Sequence, residues 1–216
     1  MTGTLALQGG GPFVANDELD RRLIASLDTR RVVVLPTADA FEHPERLLAA
    51  AMAWAERLEM GIELEGLMVM RRAEALDEGV AGVVSGADAV YIVGDQPLHL
   101  RSVLKDTPLW DAIVQLLASG GLVVAVGGSA DVMCDPMVDP RGGAFTLGLG
   151  LINGIALMTE VETWSPDRVH RTRKLAATAA AGLALVELPS SSAVVRTADG
   201  WERVGSVQVT GELPVG

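Results

Sequence analysis

The chain has 216 residues, 49% of them hydrophobic, with a formal net charge of −11 and a single cysteine. That length and apolar content suffice for one sizeable core, and the lone Cys134 excludes an intramolecular disulfide. The acidic balance argues against nucleic acid as a partner, because binding a polyanion needs clustered Lys and Arg.

The longest apolar runs, 122–126 among them, fall far short of the roughly 20 residues that span a bilayer. The N-terminus has neither the basic flank nor the apolar core of a signal peptide, so a cytoplasmic protein with no membrane partner is the expectation. Short apolar, β-branched segments ending at Gly, Pro or Asp predict strands over residues 4–7, 31–35, 63–70, 89–93 and 122–126. Helical spacing between them predicts helices over 17–27, 44–58, 73–84 and 108–117. Asn16 or Asp17 can cap the first, and Pro44 suits the first turn of the second. Strands alternating with helices predict a three-layer α/β fold: a mostly parallel sheet with helices on both faces. Beyond Ser129 the pattern loosens. Residues 137–154 read as loop and 166–181 as one more helix. Segments 183–188, 193–196 and 202–209 read as short strands of a C-terminal antiparallel edge, with Asp199-Gly200 as a tight-turn signal. No repeat or linker divides the chain, which predicts a single domain over 1–216.

Ligands of an open parallel sheet bind beyond the carboxyl ends of its strands. Those loops read "LQGGGPF" with Gly10 and Gly11, "LPTADAF", "IVGDQP" with Gly94, Asp95 and Gln96, and "VGGSAD" with Ser129 and Ala130. Three are glycine-rich, which brings backbone amides close to something small and negative. A serine at a strand-to-helix bend is a candidate nucleophile when small residues stand two before and two after it. Around Ser129 those positions hold Gly127 and Asp131, so the pattern is half met. The same serine, after two glycines, can instead cap the following helix. "LQGGGPF" matches neither GxGxxG nor GxxxxGK[ST], and His43, His99 and His170 are scattered, so no cofactor and no metal are expected. Arg168, His170, Arg171, Arg173 and Lys174 form a basic cluster, read as a solvated helix face or a binding patch.

Five stretches in order, "ALQGGGPF", "RRVVVLPTADAF", "DAVYIVGDQPLHLRSVLKDTPLWDAI", "GGLVVAVGGSADVM" and "GLGLINGIALM", together resemble the peptidase S51 family of cyanophycinase and the aspartyl dipeptidases. The resemblance implies a flavodoxin-like, class I glutamine amidotransferase-like fold and a serine-type peptidase acting on small peptides or isopeptides. It implies Ser129 as nucleophile, backbone amides of Ala130 and of Gly94 or Asp95 as oxyanion donors, Gln96 beside the site, and a homodimer. The departures are equally specific. Val93 replaces the first glycine of the family's Gly-Gly-Asp/Asn-Gln loop, and Asp131 stands where the family has glycine. The family's histidine falls on Thr163, Trp164 or Ser165, with Trp164 the preferred equivalent. His170, about 9 Å further along a helix, is the remaining downstream base; His99 reads as solvent-facing or capping. The alternative function is a non-catalytic relative that binds a small acidic or peptidic ligand or a protein partner.

Overall fold

Alternating apolar strands need both faces covered, and the computed structural model, which describes residues 2–27, 30–179 and 182–214, covers them. In chain order the first half holds β1 (Thr4–Gln8), α1 (Asp17–Ala25), β2 (Arg31–Leu35), α2 (Pro44–Arg57), β3 (Glu63–Gly66), α3 (Arg72–Ala75), α4 (Glu78–Ser85), β4 (Ala89–Ile92), α5 (Pro97–Leu104), α6 (Pro108–Ala118) and β5 (Leu122–Val126). The second half holds α7 (Gly128–Asp131), β6 (Cys134–Asp135), β7 (Met137–Val138), β8 (Phe145–Thr146), β9 (Ile152–Asn153), β10 (Ile155–Thr159), α8 (Pro166–Ala177), β11 (Ala184–Leu188), β12 (Ala193–Thr197), β13 (Gly200–Val204) and β14 (Gln208–Thr210).

The main sheet has the order β13-β12-β1-β5-β4-β2-β3, parallel from β1 to β3 and antiparallel at β12 and β13. Side chains alternate between its faces. Leu5, Leu7, Val123 and Ala125 meet α4, α5 and α6 through Val84, Leu104, Ile113 and Leu117. Ala6, Val124, Tyr91 and Val34 meet α1 and α2 through Leu23, Ile24 and Trp54. This is the three-layer, mostly parallel α/β architecture.

The departures from expectation have local causes. The strand expected over 63–70 stops at Gly66, because Thr37 Oγ1 donates to the Val69 carbonyl at 2.7 Å and draws the chain off the sheet edge. The helix expected over 73–84 is two helices, since Asp77 is extended and its carboxylate accepts the Gly79 N–H at 2.7 Å, starting α4 afresh. Asn16 stands at the N-cap of α1 but its side chain donates to the Ser190 carbonyl at 3.1 Å instead of capping. The expected loop 137–154 contains two-residue strands paired β6 with β9 and β7 with β8, and β10 follows as a fully buried strand. The C-terminal edge is antiparallel only at β12 and β13. Segment 202–209 divides between β13 and β14, and β11 joins a second sheet, parallel to β10 and antiparallel to β14. The helix expected over 166–181 ends at Ala177 as α8; Ala180 and Ala181 lie outside the described residues. Among the described residues no helix is long and apolar enough to cross a membrane.

One charge lies inside the layer of α1. Asp20, 1% exposed, accepts from Gln8 Nε2 at 2.6 Å and from the Tyr91 hydroxyl at 3.2 Å, under the ring cluster of Phe13, Trp54 and Tyr91. Burial pushes its pKa up to about 7, against the pull of those two hydrogen bonds. The folded protein thus holds this proton more tightly than the unfolded chain, where Asp titrates near 3.8. Stability from the neutral carboxyl is complete below about pH 4 and is lost as pH rises through about 7. Asp20→Asn keeps an acceptor for Gln8 and Tyr91 and removes the titration. In urea melts across that window the variant gains stability relative to the parent by as much as about 4 kcal/mol toward neutral pH. Parallel pH profiles for the two proteins contradict the assignment.

Candidate active site

β1, β5 and β4 are neighbours in the sheet, so the loops at their carboxyl ends converge. The sharpest bend is the exit of β5. Gly127 N–H donates to the Gln8 carbonyl at 3.1 Å, continuing the ladder, and the chain then reverses at φ 62°, ψ −133°. Only glycine takes that conformation without strain. The apex is therefore Gly127, and Ser129 lies two residues on, inside the first turn of α7. Ser129 is fully buried, its hydroxyl donates to the Gly94 carbonyl at 2.9 Å, and its N–H donates to the same oxygen at 3.1 Å. The small neighbours that a nucleophile bend requires flank Gly127, as Ala125 and Ser129.

Two of the expected oxyanion donors are committed elsewhere. The Ala130 amide donates to Gly127 O at 2.8 Å, and the Asp95 amide reaches Asp39 Oδ1 at 3.3 Å. Gly94 contributes its carbonyl, and its own position admits no side chain: at φ +113° a Cβ would meet the backbone of Ala38 and Asp39 at 2.8 Å. The residue Asp95 is exposed, but its carboxylate turns inward. Oδ1 accepts the Gly128 amide at 3.4 Å and stands 2.7 Å from where a Cβ on Gly127 would be. An acid group therefore occupies the space into which an apex side chain would project.

Gly10 and Gly11 also have an occupant, and it is the chain's own. Glu160, in left-handed conformation after β10, donates its N–H to Gly9 O at 3.1 Å and lies over Gly10, where a Cβ would come within 2.4 Å of its Oε1. The Gly11 amide, nearby, pulls the Glu160 carboxyl pKa down, against the larger effect of burial.

Between these loops and α8 lies a cleft of about 180 Å³. Its walls include Asp95, Asp131, Thr159, Glu160, Trp164 and Arg168. Asp131 is 6% exposed; Oδ2 accepts from Thr159 Oγ1 at 2.9 Å, while Oδ1 has no hydrogen-bond partner. Burial raises the carboxyl pKa of Asp131 far above the ordinary value and raises those of Asp95 and Glu160 as well; the charge of Asp95 adds to the rise at Asp131 and Glu160, that of Asp39 to the rise at Asp95, and Arg168 opposes it at Asp131. Arg168 is the cation of the wall, and its guanidinium lies 3.3 Å from the centre of the Trp164 ring.

No histidine lines this cleft. His170 is exposed on α8 two residues beyond Arg168, and so on another face of the helix. His99 is half-buried, neither solvent-facing nor capping: Nε2 lies 3.0 Å from the Met70 carbonyl and the ring packs edge-on to Phe41. His43 pairs with Glu45 at 3.0 Å beside a second groove of about 460 Å³ that Gln96 and Asp95 also line. The basic cluster divides in the same way, with Arg173 paired to Glu187 at 2.6 Å and Arg171 on the Gly142 carbonyl at 3.1 Å. Among the described residues no group of three His, Cys, Asp or Glu side chains could hold a metal ion. Glu160 and Thr159 were not singled out in the sequence. Their signal is slight: a polar pair closing the apolar run "IALM".

No family model matches the chain, and no curated protein matches it. Among solved structures it is similar to a peptidase from an acI-B1 actinobacterium, with 25% identity, 99% of this chain and 93% of that chain covered, and a TM-score of 0.83. It is also similar in fold to a protein of Listeria monocytogenes EGD-e named as a candidate Peptidase E, with 17% identity, 99% and 100% of the two chains covered, and a TM-score of 0.66. The structural neighbours are thus named as peptidases.

The geometry of the bend predicts unequal costs for two small substitutions. Gly127→Ala forces a Cβ into the left-handed apex against Asp95 and destabilises by about 1–3 kcal/mol. Ser129→Ala loses the bond to Gly94 and costs about 1 kcal/mol. Denaturant melts measure both, and a neutral Gly127→Ala contradicts the apex assignment.

Proposed function

We propose that this protein uses a peptidase fold as a binding module for a small peptidic ligand and does not hydrolyse it by a serine mechanism. The observation that carries the reading is the glycine at the apex of the β5–α7 bend. A nucleophile works from the apex because there its side chain projects freely into the cleft. Here the serine two residues beyond the apex, Ser129, is buried and its hydroxyl already donates to the Gly94 carbonyl.

Three further features support the reading. No imidazole lines the cleft, and an unactivated serine hydroxyl is a weak nucleophile. Trp164, the position the family resemblance gives to a histidine, carries a stacked guanidinium. Asp95, Asp131 and Glu160 line the cleft, and their carboxyl oxygens offer no hydrogen-bond donor to an oxyanion unless protonated. The name of the actinobacterial neighbour favours hydrolysis; the apex glycine and the committed serine favour binding.

The test is a serine-directed fluorophosphonate probe together with a panel of aspartyl and β-aspartyl dipeptides. No labelling and no hydrolysis above the uncatalysed rate are expected. Labelling that Ser129→Ala abolishes, or turnover of any dipeptide that depends on Ser129, overturns the proposal.

A further inference from the structure

The same cleft carries information about the charge of what it holds. Asp131 presents an unpartnered Oδ1 while being 94% buried, since its exposure is 6%. A buried acceptor without a donor carries a desolvation cost that a ligand N–H can recover. Asp95 and Glu160 flank it, so three carboxyls face the space. Arg168, the one cation among the lining residues, stacks on Trp164 with its Nε unpartnered; its charge acts on Asp131, but it donates no hydrogen bond to Oδ1. In the nearby glycine loop Glu160, itself an acid, already lies over Gly10.

We propose that the cleft is a site for a small organic cation, an ammonium or guanidinium group, with Asp131 as the buried anchor and Asp95 and Glu160 as flanking acceptors. The inference rests on reading the cleft as a binding site, and it names the ligand class. An organic cation suits the walls better than a metal ion, since no three of the described His, Cys, Asp and Glu groups meet at metal-binding geometry. The volume of about 180 Å³ equals that of roughly six waters, enough for an amine with a short aliphatic tail against Pro97 and Pro140. Thr159, by holding Oδ2, orients Asp131 and leaves Oδ1 to the ligand.

Titration calorimetry on the full chain with n-butylamine, butyrate and 1-butanol tests the charge preference at nearly constant shape. The amine is expected to bind with a Kd of about 1 mM and the other two at least about tenfold more weakly. Asp131→Asn preserves shape and an acceptor for Thr159, and is expected to weaken the amine by about tenfold or more. Glu160→Gln is expected to weaken it by a smaller factor. Melting curves establish that the variants fold; should Asp131→Asn not fold, Glu160→Gln and Asp95→Asn carry the test. Equal affinity for the three probes, preference for butyrate, absence of amine binding, or folded variants with unchanged affinity each overturn the inference. Probe labelling of Ser129 alongside amine-selective binding would remove the non-hydrolytic reading and leave this one standing.

Discussion

The carbonyl of Gly94 accepts two hydrogen bonds from one residue, the N–H and the hydroxyl of Ser129, and much of the surrounding geometry follows from that pair. It ties the loop after β4 to the first turn of α7, two segments that touch because β4 and β5 are adjacent strands. The tie requires close backbone approach on both sides. Gly94 packs against the backbone of Ala38 and Asp39, and Gly127 reverses the chain in a conformation reserved for glycine. A serine used in this way is a structural donor. Its proton is committed to a carbonyl, and rotating it toward the cleft would leave that buried oxygen with one bond fewer.

A second consequence concerns charge. Glycine-rich turns at the carboxyl end of a parallel sheet gather backbone amides suited to an anion, and here Glu160 supplies the anion from within the chain. This internal satisfaction inverts the character of the site. The amides of Ala130 and Asp95 are committed within the chain, while the carboxyls of Asp95, Asp131 and Glu160 line the cleft. Burial makes these groups costly to ionise, and the charge of Arg168, held on Trp164, offsets that cost only in part at Asp131.

Much of the fold was legible in the sequence because the central strands are buried on both faces and read as continuous apolar runs. "RVVVL", "AVYI" and "LVVAV" all became strands of the main sheet. The region after α7 was not legible for a physical reason. Two-residue strands such as β6 and β9 are held by pairing across a long stretch of chain and have no periodicity to detect. Strand β11 has an ordinary apolar pattern, but nothing in it tells which sheet it joins. At the site, glycine content identified the converging loops. It did not identify the apex, since "AVGGSAD" offers small residues at several consecutive positions and the spacing rule can be met around Gly127 as well as half met around Ser129. Backbone dihedral angles decide between them.

The face of α8 closes the argument about a base. Arg168 faces the cleft, so another cleft-facing residue on this helix must come three or four positions later, at Arg171 or Thr172. Arg171 is turned to the Gly142 carbonyl, and Thr172 is fully buried with its hydroxyl on the Gly143 carbonyl at 2.8 Å. His170 falls between these positions and points to solvent. The helical period that gives the cleft its one guanidinium therefore also withholds an imidazole from it. A base could enter from α8 only by rotating the helix, which would draw Arg168 off Trp164 and Thr172 out of the core together.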